Sequence, residues 1–211
     1  MQIFPRTINY LPLVAAIGAG VAGVVLTLGV WYYFSPSNLV VGYVPDQPVR
    51  YSHRLHAGQL GIDCRYCHAN VERSQEAMIP PTQSCMGCHA LVRADSPLLD
   101  EVRRSWRTGG SVAWLRVNKL PEHAYFDHSV HLSAGVGCVS CHGRIDQMDV
   151  VQIEQPLSMA WCLQCHRNPA PYLMPRDQIT NMGWQPGEGD AALIADVRTL
   201  NPPEHCSGCH R

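Results

Sequence analysis

Ten cysteines divide without remainder into five C-x-x-C pairs: Cys64/Cys67, Cys85/Cys88, Cys138/Cys141, Cys162/Cys165 and Cys206/Cys209. Every pair is followed at once by a histidine, at His68, His89, His142, His166 and His210. With eleven histidines in 211 residues, five such adjacencies do not arise by chance. No cysteine is left over for a disulfide framework or a separate thiol site.

Two cysteines with two residues between them can place both sulfurs on the vinyl groups of one porphyrin as thioethers. The adjacent histidine turns its ring to the iron from the same short turn, so C-x-x-C-H is an attachment site and an axial ligand in one. The motifs therefore predict five haem c groups, with the ten cysteines as thioethers and the five motif histidines as proximal ligands. A zinc ribbon also uses C-x-x-C pairs, but five pairs do not divide into whole Cys₄ sites, and zinc requires no histidine after each pair. Thiol–disulfide exchange needs one redox-active motif on a βαβ pattern, and none is visible. With three Phe in the whole chain, protein side chains make a thin core, and porphyrins would supply most of the apolar surface to be buried. The expected fold is mostly irregular with short α-helices, a multihaem cytochrome c domain plus one transmembrane helix.

Six histidines remain: His53, His56, His123, His128, His131 and His205. Four form two H-x-x-H pairs inside an internal repeat. YSHRLHAGQLGIDCRYCH, residues 51–68, matches YFDHSVHLSAGVGCVSCH, residues 125–142, in its H-x-x-H, its spacing of about eight residues to the first cysteine and its C-x-x-C-H. Residues i and i+3 on a helix share a face, so their rings can diverge toward two adjacent planes. A surface pair would have no reason to recur at the same offset. His53, His56, His128 and His131 are thus expected as distal ligands to four irons. For the fifth the first choice is Met159, which would give a His/Met iron of higher potential; an ordinary core methionine is the alternative. His123, Met182, His205 and Met78 are the fallbacks, His205 being constrained by the attached Cys206.

Residues 1–10 carry one charge, Arg6, and the 24 residues 11–34 carry none, more than the roughly 20 needed to cross the hydrocarbon core as a helix. Trp31, Tyr32 and Tyr33 end this stretch, where aromatic rings favour the interface, and Arg6 predicts a cytoplasmic N-terminus. A cleaved signal would have a shorter apolar stretch, about 7–15 residues. The expectation is a single-pass anchor in a bacterial inner membrane, with the haem domain on the periplasmic side. Gly18 with Ala22 and Ala19 with Gly23 are small-xxx-small pairs suited to a partner helix. Residues 35–50, with three prolines, read as an extended linker. The haem domain then spans 51–211: a first module at 51–94, a helical connector at 95–124, and a second module with the fifth haem at 125–211. In the connector Asp95 or Ser96 can cap a short helix, with Pro97 in its first turn and Gly109 as its stop; another short helix is expected at about 190–200. A net charge of −1 excludes a nucleic-acid footprint. Lys119 is the only lysine. Arginine suits haem propionates, although genome composition explains the same bias.

An H-x-x-H followed by C-x-x-C-H resembles the class III multihaem cytochromes. That resemblance implies that His53 serves the haem on Cys64/Cys67 and His128 the haem on Cys138/Cys141, while His56 and His131 reach to other haems. The single N-terminal span, five sites, repeated module and the segments YFDHSVH and PLSMAWCLQCHRNPAPYL resemble the pentahaem subunit of alternative complex III, a bacterial quinol-oxidising complex, over most of the chain. The resemblance implies an electron carrier that is not itself an enzyme. It would receive electrons from an iron–sulfur subunit, beside quinol-site membrane subunits, and pass them to a periplasmic cytochrome, copper protein or oxidase. Asn118 stands where the resemblance leads one to expect another histidine. Two other functions compete. A membrane-anchored quinol dehydrogenase feeding a periplasmic reductase carries methionine three residues after its first haem histidine, where this chain has Val71. A haem reductase with an open iron often uses lysine as proximal ligand, and no C-x-x-C-K occurs.

Overall fold

The structure, a computed structural model, describes residues 4–187 and 200–211. The chain forms two compact units, Met1–Val40 and Val41–Arg211.

In the first unit a 3₁₀ turn, Arg6–Tyr10, runs into α1 (Leu11–Tyr33), with Pro12 in the first turn, where its missing N–H costs nothing. The whole segment Arg6–Tyr33 is 28 residues long with a mean hydropathy of 2.3, and none of its apolar side chains is buried. Within α1, Thr27 donates its hydroxyl to the Gly23 carbonyl at 2.8 Å. A helix apolar on every side is long enough to cross a bilayer. A single turn, α2 (Pro36–Leu39), follows.

Among the described residues there is no strand, and only isolated bridges join Ala124 to His210 and Val136 to Leu173. The second unit is instead a set of helical turns: α3 (Cys64–Cys67), α4 (Thr82–His89), α5 (Asp100–Thr108), α6 (His128–Ser133), α7 (Cys138–His142), α8 (Met159–Arg167) and α9 (Cys206–Cys209). A π-helical turn, Arg54–Gln59, carries His56 of the first H-x-x-H, with His53 as the residue that precedes it. In the connector, extended Ser96 leads into a 3₁₀ turn from Pro97 that continues as α5 and stops at Gly109, whose φ of +70° favours glycine. The Ser105 hydroxyl ties α5 to the Thr82 hydroxyl of α4 at 2.5 Å. The helix expected near 190–200 falls, but for Leu200, outside the described residues.

Residues 35–50 differ from the extended linker expected of them. After α2 the chain lies down on the second unit: Gly42 N–H donates to Ile153 O at 2.7 Å, Gln47 donates to Leu115 O at 2.8 Å, and Val49 is buried. Prolines favour extended backbone, but extended backbone still needs partners for its polar groups. The apolar interior is thin, as its sequence foretold: Val71, Leu132, Met174 and Ile179 form its cluster, with Ala77, Val139 and Trp184 against it.

Candidate metal centres

All five C-x-x-C pairs lie on a helical turn, in α3, α4, α7, α8 and α9, and no two of the ten cysteines form a disulfide. Two of these turns are capped by the residue before them. Asp63 accepts from Arg65 N–H at 2.8 Å, and Ser158 accepts from Trp161 N–H at 3.3 Å. Asp63 also accepts from the Arg65 side chain, which holds its carboxyl down to about 2.

The fold then sets a second histidine ring opposite a motif ring. His56 faces His89 with ring centres 6.1 Å apart, His128 faces His142 at 6.5 Å with planes 5° apart, and His131 faces His166 at 6.2 Å. His123 faces His210 at 5.5 Å. A metal–imidazole bond is about 2.0–2.1 Å, as for zinc, and the ring centre lies roughly 1.1 Å further, so one ion between two axial rings sets their centres roughly 6.3 Å apart. The first three pairs, at 6.1–6.5 Å, fit an iron held between two rings, whereas His123 and His210, at 5.5 Å, stand closer than that. Among the described residues no three His, Cys, Asp or Glu side chains converge as a zinc-type site requires. His53 lies beside His68: its pKa falls to about 4, from burial first and then from the neighbouring His68, His56 and His142. His142 is likewise lowered to about 4, by burial and then by His128 and His68. Neutral rings keep the lone pair a metal needs.

The other ring nitrogen is anchored in nearly every case. Nδ1 of His68 donates to Met78 O at 2.6 Å, His89 to Val92 O at 2.9 Å, His166 to Pro203 O at 2.7 Å and His210 to His123 O at 3.0 Å. On the distal side, Nδ1 of His56 donates to Ser52 O at 2.9 Å, His131 to Asp127 O at 2.7 Å and His128 to Gln75 O at 2.6 Å. A proton fixed on Nδ1 leaves the Nε2 lone pair for a metal and locks the ring's direction. His53 Nδ1 is buried with no partner.

The cysteines show which turns are neighbours. Cys64 and Cys138 share a hydrogen bond that pushes the Cys138 thiol up and the Cys64 thiol down. Burial first, then the nearby Cys85, raises Cys67. Burial, then Cys165 and Cys162, pushes Cys141 up to about 12, and Cys209 lies by Cys162. As thioethers these sulfurs would not titrate; what matters is their proximity. The turns follow one another in the order 85–88, 64–67, 138–141, 162–165, 206–209. The ten positions, expected alike from their spacing, differ in one respect: Cys88 and Cys206 are exposed, whereas the other eight are half-buried. Cys88 belongs to the first turn of the series and Cys206 to the last.

The structure thus brings His56, His128 and His131 to motif rings, and places His53 within electrostatic reach of His68. Met159, the first choice for a fifth distal ligand, opens α8 with its side chain 61% exposed, whereas the fallback His123 stands opposite His210. Ser158 caps α8, so Met159 occupies its first helical position. Met78 gives its carbonyl, not its sulfur, to His68; Met182 is buried; His205 is exposed. Two residues were missed. Tyr51 stacks on His56 with ring centres 4.4 Å apart, and Phe126 packs on His131 at 4.4 Å. Both stand two residues before their H-x-x-H, so the repeat itself carried the signal.

Two comparisons bear on this geometry. Residues 124–211 match the family described as cytochrome c7 and related cytochrome c. The chain is also 34% identical over 148 residues to the multihaem cytochrome c subunit of menaquinone reductase from Nitratidesulfovibrio vulgaris, covering 58% of this chain and 69% of that protein.

Proposed function

This chain belongs to the multihaem cytochromes c, and from that premise we propose that it is the electron-relay subunit of a membrane quinone–quinol oxidoreductase. The observation that carries the reading is the set of facing histidine rings on turns that follow one another from 85–88 to 206–209. We assign five covalent haems c to the ten cysteines, the exposed Cys88 and Cys206 included. His68 pairs with His53, His89 with His56, His142 with His128, His166 with His131, and His210 with His123 rather than with Met159. Bound haem iron supplies a one-electron ferrous–ferric couple at each site. The chain fastens the porphyrins, fixes a proton on Nδ1 of the anchored rings, and fills the sixth position so that substrate does not bind.

The apolar helix α1 is read as a single-pass anchor that leaves the second unit on the periplasmic side of a bacterial inner membrane. The partners are an iron–sulfur subunit, quinol-site membrane subunits and a periplasmic acceptor, as in alternative complex III. A second reading differs in direction alone: the relative is named a menaquinone reductase, so electrons would run toward quinone. Reducing the purified complex by quinol or by a reduced soluble cytochrome, in separate stopped-flow runs, distinguishes the two. A pyridine haemochrome assay should count five haems per chain, and fewer would overturn the assignment. Absence of the near-infrared band that methionine ligation gives to ferric haem is expected; its presence would restore Met159.

A further inference from the structure

One ring is anchored unlike the others. Seven rings donate Nδ1–H to a backbone carbonyl, an acceptor no substitution removes. His142 meets a side chain instead: the Asn118 amide, with Nδ2 3.2 Å from Nδ1. A half-turn of the amide exchanges Nδ2 for Oδ1 at the same place. The choice has a chemical consequence. If Nδ2 donates, Nδ1 is bare and the ring proton sits on Nε2, facing His128, where it blocks a metal. If Oδ1 accepts, Nδ1 holds the proton and Nε2 is free. Asn118 therefore selects the tautomer of His142, and the acceptor strength at position 118 sets how much electron density the ring passes to a metal.

We infer that Asn118 is a positioning residue that tunes the reduction potential of the site held by His142 and His128. The inference rests on the axial pairing proposed above. The site is the middle one of the series: Cys138 touches Cys64 on one side and Cys141 lies by Cys162 and Cys165 on the other. Its potential decides how freely the two ends exchange electrons. A carboxylate at 118 would accept more strongly, give the ring imidazolate character and favour the ferric state. An apolar residue would remove the acceptor and release the ring.

The test is a redox titration, with electron paramagnetic resonance, of the haem-loaded full-length chain carrying N118D, N118Q or N118L. One midpoint of the set should move to lower potential in N118D and to higher potential in N118L, with one low-spin signal shifting its g values and the others unchanged. N118Q, which keeps the amide, should lie nearer the native value. If the native chain carries five low-spin haems and neither N118D nor N118L moves a midpoint, or both move it the same way, the inference fails. If the native chain lacks bis-histidine low-spin signals, the axial pairing fails instead. N118D is close to isosteric, so it serves even if N118L loads haem poorly.

Discussion

The two H-x-x-H segments reach the same geometry over different backbones. In the first, Tyr51 lies 4.4 Å from the His56 ring and 4.8 Å from His53; in the second, Phe126 lies 4.4 Å from His131 and 4.8 Å from His128. His56 and His131 both donate Nδ1–H to the carbonyl four residues before them. Yet the second segment is α6 and the first is a π-helical turn. The ring directions are set by the stacked aromatic and the carbonyl anchor, and the helix type bends to them. The widened first turn is closely packed. It packs against the turn Ile145–Gln147, and a Cβ on Gly58 would collide with the Asp146 carbonyl oxygen. Ser133, the counterpart of Gly58 in α6, is exposed.

If the two segments do the same work, removing either distal ring should have the same large effect. H56A and H131A should each convert one haem from low spin to high spin, read by electron paramagnetic resonance; a change in only one variant would break the equivalence. The next effect is steric and one-sided. G58A should lower the thermal midpoint of the haem-loaded chain by a cost of about 1–3 kcal/mol, while S133A should stay within about 0.5 kcal/mol. Smaller still is the cap. D63A should cost about 1 kcal/mol. The folded Asp63 carboxyl is held at about 2 against an ordinary 3.8, so its contribution is complete above the ordinary value and lost as pH falls through 2. Gly137 caps the matching α7 without a side chain, so a melt series from pH 5 to 2 should lose this dependence only in D63A. The smallest effect belongs to Y51F: burial and the nearby Cys67 raise the Tyr51 hydroxyl's pKa, and loss of that contact should cost about 0.5 kcal/mol by melting.

That each C-x-x-C pair lies on one short helical turn was legible, because the spacing puts both cysteines and the next histidine within a single turn. How far each sulfur is covered was not, because the exposure of Cys88 and Cys206 depends on tertiary packing, which spacing does not encode. The connector helix was legible because Pro97 and Gly109 mark its ends by backbone chemistry alone. The pairing of His123 with His210 was not, since it joins residues 87 apart and local spacing carries no information on such closure. Met159 opens α8 exposed, and spacing near a haem motif reads alike whether a helix turns its methionine inward or outward. The π-helical turn was hidden for a related reason: it packs against a carbonyl 88 residues away from Gly58, at Asp146.

The sparse interior of the second unit has a consequence for how the molecule is made. No side chain there is fully buried, and nine apolar residues make up the whole protein core among those described. So little apolar surface cannot offset the entropy of ordering the chain, so free energy of cofactor attachment becomes free energy of folding. Maturation must run ahead of folding: each porphyrin is fastened to an open chain, and a missed attachment leaves a stretch that proteases of the compartment can remove.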